Sequence, residues 1–133
     1  MEVKCIYNSL DQLNYQYAKL LTSIVQSDGI FTDLEIGKIY DVLALEYQDD
    51  IGLVVYIRTV AGTWFPTPYP IGLFKLENNE IMPGWRFAVS YDSGKPLIKI
   101  MSFPDWVDTD HYYERLVEGD RHATSAFGRW SSS

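Results

Sequence analysis

The sequence predicts an α+β domain that is mainly β: a curved antiparallel sheet with one N-terminal helix and short C-terminal helices. Runs of β-branched and aromatic residues, separated by turn residues, fill the stretch from 34 to 103, as is typical of strands. Apolar residues at helical spacing are confined to the two ends of the chain. A chain of 133 residues fits one domain, which we place at residues 1–130, with residues 131–133 as a frayed tail.

The N-terminal region predicts a short strand followed by a helix. Residues 3–7 form an apolar run compatible with a strand. Ser9-Leu10-Asp11-Gln12 then has the pattern of a capping box, which marks the start of a helix. One apolar stripe follows at helical spacing, formed by Leu10, Leu13, Tyr17, Leu20, Leu21 and Ile24. We therefore expect a helix at about residues 9–26, ended by Gly29, which suits a left-handed stop.

The middle of the chain predicts two hairpins and an edge segment. Residues 38–47 and 53–60 flank a turn, and so do residues 85–91 and 97–103; each pair is typical of a β-hairpin. Between the hairpins lies Pro66-Thr67-Pro68-Tyr69-Pro70. Because proline cannot donate to a strand ladder, this segment is expected as an extended loop or an edge strand.

The C-terminal region predicts short helices at about residues 108–129. Pro104-Asp105-Trp106 ends the sheet, and Asp108 is a suitable N-cap for a helix through Leu116. Gly119 stops that helix, and Asp120 is positioned to cap a last short helix that carries Phe127.

Composition favours a protein of the reducing cytoplasm. The chain is 47% hydrophobic and 15% aromatic, which suits an independent core. Cys5 is its only cysteine, so an internal disulfide and a cysteine-rich zinc site are excluded. The first residues do not have a basic segment followed by an apolar run, as a secretory signal would. No stretch approaches the roughly 18 to 20 apolar residues that a membrane span requires.

The net charge predicts the kind of partner. Eighteen acids and 11 bases give a net charge of −7. A field of this sign repels the phosphates of nucleic acids and anionic lipids, so we expect neither direct nucleic-acid binding nor membrane binding. It attracts a basic protein partner and speeds the encounter with it. Solubility alone is the alternative explanation of the charge.

Residue patterns typical of catalysis are missing from the sequence. The two histidines, His111 and His122, are separated by Gly119, so a shared metal is not expected. Cys5 lies in an apolar run, where free cysteine usually acts as a small core residue. The glycines form neither a dinucleotide-binding nor a phosphate-binding loop, and a calcium loop is absent. We therefore expect no enzyme activity, no cofactor and no metal.

The acids are concentrated in two runs. The first contains Asp28, Asp33, Glu35, Asp41, Glu46, Asp49 and Asp50. The second contains Asp105, Asp108, Asp110, Glu114, Glu118 and Asp120, and it is interleaved with Trp106, Tyr112 and Tyr113. Acids mixed with large aromatics can hold Arg or Lys side chains of a partner. The predicted partner-binding residues are Asp105, Trp106, Asp108, Asp110, Tyr112, Tyr113, Glu114 and Glu118. Alternatively, the aromatics pack inward and the acids only hydrate the surface.

One part of the chain resembles small SH3-like β-barrels of bacterial and phage genomes. The resemblance lies in Leu34-Glu35-Ile36-Gly37-Lys38-Ile39-Tyr40-Asp41-Val42, in Tyr56-Ile57-Arg58, and in Tyr69-Pro70-Ile71-Gly72-Leu73-Phe74-Lys75-Leu76. It implies a partly open SH3-like barrel, in which Gly37 frees the backbone and Tyr40 packs beneath. The predicted N-terminal helix departs from this pattern, so a curved antiparallel sheet stays the alternative.

The end of the chain resembles the tail of some bacterial immunity proteins, the cytoplasmic antidotes encoded beside antibacterial toxins. The similar segments are Phe103-Pro104-Asp105-Trp106 and Tyr112-Tyr113-Glu114-Arg115-Leu116-Val117-Glu118-Gly119-Asp120. The resemblance implies a protein that binds a cognate toxin and blocks its active or substrate-binding surface. The acidic charge of the chain favours a basic toxin of the nuclease type, since toxins that act on nucleic acids need basic active sites. The alternative is a phage or mobile-element module that binds an extended or Pro-rich peptide through a sheet edge or the loop at residues 64–69. The oligomeric state is left open.

Overall fold

The structure is a computed structural model, and it describes residues 1–14, 16, 18–19, 29–59, 63–92 and 94–131. Within these residues the chain forms seven strands: β1 (Glu2–Cys5), β2 (Ile39–Gln48), β3 (Gly52–Ile57), β4 (Thr67–Pro70), β5 (Phe74–Asn78), β6 (Arg86–Ser90) and β7 (Leu97–Ser102). Three helices follow them: α1 (Pro104–Asp108), α2 (Tyr112–Val117) and α3 (Arg121–Ser131). The predicted mainly-β architecture with short C-terminal helices is confirmed. No helix among the described residues is long and apolar enough to cross a membrane.

The sheet is antiparallel and open, and it forks at β2. One edge of β2 pairs with β3, which pairs with β4. The other edge is divided: residues 39–41 pair with β1, and residues 44–46 pair with β7. Beyond these, β1 pairs with β5, and β7 pairs with β6. The 10-residue strand β2 therefore belongs to two branches of one curved sheet.

A β-bulge at Leu43 reverses the face of the sheet to which the later side chains of β2 point. Val42 lies opposite Ile57, but the next paired residue, Ala44, lies opposite Tyr56, so Leu43 is one extra residue in β2. Opposite residues of an antiparallel pair share a face, and adjacent residues of a strand point to opposite faces. Val42 and Ala44, which would share a face in a regular strand, therefore point to opposite sides of the sheet.

Two hydrophobic cores result, one on each side of β3. The first contains Val3, Cys5, Leu34, Tyr40, Val42, Val55, Ile57, Tyr69, Leu73 and Phe74. The second lies beneath the helices and contains Ala44, Val54, Tyr56, Phe103, Trp106, Tyr112, Leu116, Ala123, Ala126 and Phe127. Successive residues of β3 alternate between the two cores, which is why four of them in a row are buried.

The hairpin and edge predictions are confirmed. Strands β2 and β3 pair up to Gln48 opposite Gly52, and Gly52 has a φ of 87° that favours glycine. Strands β6 and β7 pair up to Ser90 opposite Leu97. The proline-rich segment forms β4, which lies at the edge of the sheet.

The predicted helix from residue 9 is not confirmed. Residues 10–12 form a 3₁₀ turn, and Leu13 is extended with a ψ of 168°. The Ser9 hydroxyl bonds to the Asp11 carboxylate rather than capping a backbone N–H. Tertiary pairing fixes this turn, because the Leu10 N–H donates to the Gly29 carbonyl at 2.7 Å. Residues 16, 18 and 19 are helical, while residues 15, 17 and 20–26 of the predicted helix lie outside the described residues.

The C-terminal helices begin earlier than predicted. Phe103 is the N-cap of α1 and Pro104 its first residue, a position that suits proline because no intrahelical N–H is needed there. Asp108 is consequently the last residue of α1. The prediction that it caps α2 was wrong. Asp120 does cap α3, since the Ala123 N–H donates to its Oδ1 at 3.0 Å. Helix α3 includes Ser131, and residues 132–133 lie outside the described part of the chain.

Candidate functional site

A groove of about 630 Å³ runs between the helix-facing side of the sheet and the loop that joins α1 to α2. Its apolar floor and wall are formed by Tyr56, Pro68, Ala88, Ile100, Trp106, Val107, Tyr112 and Tyr113. Its polar rim is formed by Glu46, Gln48, Lys99, Thr109, Asp110, His111 and Glu114. A neighbouring cavity of about 330 Å³ shares Glu46, Gln48 and Lys99 with it. The two cavities therefore adjoin each other at these three residues.

Strand register builds the floor of the groove. Glu46 lies opposite Ile100, and Ile100 lies opposite Ala88, so these three residues stand side by side across β2, β7 and β6. Strand β3 lies along the other edge of β2, and its Tyr56 stands opposite Pro68 of β4. The bulge at Leu43 brings Glu46 to this face, because it reverses the orientation of every later residue of β2.

The helices supply a wall of packed aromatic rings. The Trp106 ring lies edge-on to Tyr56, with 5.0 Å between ring centres, and is nearly parallel to Tyr113 at 5.9 Å. The Tyr113 hydroxyl donates to the Pro66 carbonyl at 2.8 Å. Edge-to-face and offset-stacked rings of this kind stabilise one another beyond simple burial. The wall is thus held in one geometry.

His111 makes the turn that separates α1 from α2. Its φ of 55° places it in the left-handed region, which costs a residue with a Cβ roughly 1–2 kcal/mol. The first turn of α2 stabilises this conformation, since the Arg115 N–H donates to the His111 carbonyl at 3.0 Å and the Arg115 Nε to the Asp110 carbonyl at 3.1 Å. Asp110 and Glu114 are thereby placed on the rim of the groove.

Carboxylates of both acidic runs raise the pKa of one phenol, that of Tyr56. The Tyr56 hydroxyl donates to Glu46 Oε1 at 3.0 Å, and the Gln48 side chain donates to the same oxygen at 2.7 Å. Burial, then the negative charges of Glu46 and Glu114, raise the pKa of Tyr56 well above its ordinary value. Burial likewise raises the pKa of Tyr113 to about 12, with Glu114 contributing. Both phenols are therefore neutral hydrogen-bonding groups at neutral pH.

Five of the predicted binding residues line the groove: Trp106, Asp110, Tyr112, Tyr113 and Glu114. Trp106 and Tyr112 are buried members of the second core, and the Tyr112 hydroxyl donates to the Ala123 carbonyl at 2.6 Å. These two aromatics pack inward, as in the alternative interpretation of the sequence. Asp110 and Glu114 are exposed and Tyr113 is half-buried, so these three offer surface to a partner.

The other three predicted residues lie outside the groove. Asp105 accepts a hydrogen bond from the Trp130 indole at 3.1 Å and lies 3.9 Å from the Arg129 guanidinium. Asp108 forms an ion pair of 2.8 Å with Arg86. Glu118 is exposed at the C-terminal end of α2. Asp105 and Asp108 thus have partners within the chain.

Several residues of the groove were not predicted, above all Glu46, Tyr56 and Lys99. Glu46 was grouped with the first acidic run, and its position inside an apolar strand was the available signal. That signal cannot tell which face of the sheet the carboxylate occupies. The bulge that decides the face depends on the pairing of β2 with β3.

The groups considered for catalysis are placed apart. His111 lines the groove, whereas His122 lies in α3 beside Asp120, whose pKa is lowered by the Ala123 N–H, by the His122 N–H and by nearby positive charge. Cys5 is buried in the first core, and burial raises the pKa of its thiol. Among the described residues, no group of three or more His, Cys, Asp or Glu side chains could hold a metal ion.

The loop at residues 64–69 is fastened to the helices. The Trp64 indole donates to the Leu116 carbonyl at 2.9 Å, although its ring stays exposed. Pro66 and Tyr69 are buried. The loop therefore presents one indole ring to solvent.

Comparisons of the chain with protein-family models, with curated proteins and with solved structures returned no match. The chemistry of the groove is consequently the basis on which function is inferred.

Proposed function

We propose that this protein is a cytoplasmic immunity protein that binds a cognate antibacterial toxin, of the basic nuclease type, and blocks its active or substrate-binding surface. The observation that supports the proposal is the groove beside α1 and α2. There, Glu46 from the first acidic run lines the same groove as Asp110 and Glu114 from the second, beside a wall of aromatic rings. The protein acts by occupying a basic surface and carries out no reaction of its own.

The groove suits an arginine or lysine side chain of the partner. Such a side chain would lay its apolar stem against Tyr113, Pro68 and Ile100 and point its charge at the carboxylates of the rim. Hydrogen bonds to charged groups are worth about 1.5–3 kcal/mol each. The volume of about 630 Å³ falls within the roughly 300–1,000 Å³ of typical ligand sites. It leaves room for more than one such side chain.

Long-range attraction supports the same partner. The net charge of −7 draws a basic protein toward the chain before contact is made. Toxins that act on nucleic acids need positive surfaces to hold phosphates. The proposed mechanism is thus steric and electrostatic, with the rim acids replacing the substrate phosphates.

The proposal extends to the fold, as an open variant of the small SH3-like barrels. Two residues of the resembling segment support it. Gly37 has a φ of 91° directly before β2, and Tyr40 is buried beneath it in the first core. The Tyr40 hydroxyl accepts the Glu35 N–H at 3.1 Å and so holds the turn that enters β2.

Charge reversal on the rim tests the interface. In Asp110→Lys/Glu114→Lys, binding to the basic product of the adjacent gene should weaken at least about 100-fold, and protection of cells against that product should be lost. Both side chains are exposed, so circular dichroism should show an unchanged fold. Binding is measured by surface plasmon resonance or calorimetry.

A matched control has the same change in net charge at the far edge of the sheet. Glu77→Lys/Glu80→Lys also reverses two exposed acids, and it should reduce only the association rate. Equal losses in both double variants would contradict the groove as the interface. Failure of the wild type both to bind and to protect would contradict the immunity function.

Binding of an extended or Pro-rich peptide is a second candidate, favoured by the exposed ring of Trp64 beside the proline-rich strand β4. In that case Trp64→Ala should abolish binding of a proline-rich peptide, and Asp110→Lys/Glu114→Lys should leave it intact. A peptide titration followed by Trp fluorescence distinguishes the two candidates.

A further inference from the structure

Three strands, β4, β5 and β6, each pair with only one other strand in the described part of the chain. An unpaired strand edge is a template for another chain, so monomeric proteins protect it with proline or with charged side chains. Strand β4 carries Pro68 and Pro70, and β5 carries Lys75 and Glu77. The edges of β4 and β5 are therefore protected in the two usual ways.

Strand β6 is different. Its five residues, Arg86-Phe87-Ala88-Val89-Ser90, include no proline and no acid. Its one charge, Arg86, is paired with Asp108 at 2.8 Å. Proline is thus absent from β6 and its one charge already has a partner, so the protective feature that this edge keeps is the β-bulge in its pairing with β7.

An apolar surface adjoins this edge, on the side of the sheet away from the helices. Phe87 and Val89 are two residues apart in β6, so their side chains share one face, and Tyr91 follows at the end of the strand. They lie opposite Met101 and Ile98, and a β-bulge between these two pairs, with Lys99 as the extra residue of β7, keeps both partners on that face. Phe87 and Tyr91 keep 58% and 70% of their surface exposed, which amounts to roughly 250 Å² because an aromatic side chain offers about 200 Å². With Val89 and Ile98, the patch reaches the size at which exposed apolar surface marks an interaction site, about 300–600 Å².

We propose that a second copy of this chain pairs with β6 in antiparallel fashion, about a two-fold axis at Ala88, and joins the two sheets into one. This register is the one centred on the strand, so all five residues find a partner. On the apolar face it places Phe87 of each copy opposite Val89 of the other. On the opposite face it places Arg86 of each copy opposite Ser90 of the other. A shift by one residue would turn the apolar face of one copy against the polar face of the other.

The local charges and the area permit a second copy. Like charges do not stand opposite each other across the axis, because Arg86 meets Ser90. A standard interface buries about 800 Å² per partner, of which the apolar patch would form the centre and the strand edges the rim. A two-fold pairing closes on itself and leaves no free β6 edge for a third chain.

The two-fold pairing and the groove make opposite predictions about salt. Two chains of net charge −7 repel each other, and salt screens that repulsion over about 8 Å at physiological ionic strength. Added sodium chloride should therefore strengthen the dimer, whereas it should weaken binding of a basic partner.

Sedimentation equilibrium of the full chain without any partner tests the proposal. The wild type should shift from one chain to two chains with rising concentration, at lower concentrations in high salt. In Phe87→Lys/Val89→Lys, two pairs of lysine charges would meet across the axis, and the dimer dissociation constant should rise at least about 100-fold.

The matched control is Ile39→Lys/Leu76→Lys, which replaces two exposed apolar residues on β2 and β5 by the same charges. It should dimerise at least as well as the wild type in high salt. The proposal is wrong if the wild type stays monomeric at all concentrations, or if the β6 variant dimerises like the wild type while circular dichroism shows both folded. A failure to bind a toxin would leave this outcome unaffected, since no partner is present.

Discussion

The two cores of this protein share the strands β2 and β3 but are built from different residues. The first is largely aliphatic, with Val3, Val42, Val55, Ile57 and Leu73 at its centre. The second contains five aromatic residues beneath the helices: Tyr56, Phe103, Trp106, Tyr112 and Phe127. Tyr and Trp carry a polar group at the edge of an apolar ring. The second core contains three such residues, Tyr56, Trp106 and Tyr112, and the first contains two, Tyr40 and Tyr69.

The polar groups of the second core connect it to the backbone around it. The hydroxyl of Tyr112 donates to the Ala123 carbonyl, and that of Tyr113, which packs against this core, donates to the Pro66 carbonyl. A core with such anchors can border on an open groove without leaving buried polar groups unpaired. The aromatic residues of the second core turn their apolar rings toward the sheet and hydrogen-bond through their polar groups at the edge of the core. We conclude that this is why the groove lies beside the second core.

The largest expected effect comes from truncating the centre of the second core. Phe103 is 2% exposed, and its ring centre lies 5.7 to 5.8 Å from the ring centres of Trp106, Tyr112 and Trp130. Phe103→Ala should lower the free energy of unfolding by about 3–5 kcal/mol, measured by urea denaturation. It should also weaken the near-ultraviolet circular dichroism, because the packed tryptophans lose their fixed geometry.

Two variants complete this comparison. Ile57→Ala in the first core should cost about 2–5 kcal/mol but leave the near-ultraviolet spectrum largely intact. Ile81→Ala, at an exposed position outside both cores and outside β6, should change the free energy of unfolding by no more than about 0.5 kcal/mol. A loss of the tryptophan signal in Ile57→Ala would show that the two cores do not behave independently.

An intermediate effect is expected in alkaline solution. Burial raises the pKa of Tyr56 and Tyr112 above the ordinary value of 10.0, and that of Tyr113 to about 12. In the unfolded chain these phenols ionise near pH 10.0, whereas in the folded chain they keep their protons. Because the unfolded state then binds fewer protons, the free energy of unfolding should fall as the pH rises above about 10. Urea denaturation across that range measures the fall.

A single replacement tests how much the groove wall contributes to this alkaline loss. Tyr113→Phe removes one buried phenol of the groove wall and should flatten the pH dependence between about pH 10 and 12. An identical profile for Tyr113→Phe and the wild type would contradict the assignment.

The smallest effect concerns the helix layer that closes the second core. Asp120→Ala removes the acceptor of the Ala123 N–H and should destabilise the protein more than the loss of an exposed ion pair does. Asp108→Ala breaks only an exposed ion pair with Arg86 and should cost at most about 0.5 kcal/mol. Thermal unfolding of both variants at neutral pH makes the comparison, and equal losses would mean that the cap of α3 contributes no more than a surface ion pair.

Local features of the chain could be predicted because their causes are local. Gly52 permits the left-handed residue of the first hairpin, proline keeps β4 at an edge, and Asp120 caps α3 with its own carboxylate. The mainly-β architecture follows from such signals added along the chain. Ser9 shows their limit: it has the capping pattern, but pairing of the Leu10 N–H with Gly29 holds it in a 3₁₀ turn.

The site was decided by tertiary structure. An alternating pattern tells which residues of a strand share a face, but not which face of the sheet they occupy. The one-residue bulge at Leu43 moves Glu46 to the face opposite the one that it would occupy in a regular strand. The sequence by itself determined that acids and aromatics lie close together near the C-terminus. Only packing against β3 decided that Trp106 and Tyr112 turn inward while Asp110 and Glu114 remain on the rim, since burying rings is favourable and burying unpaired carboxylates is costly.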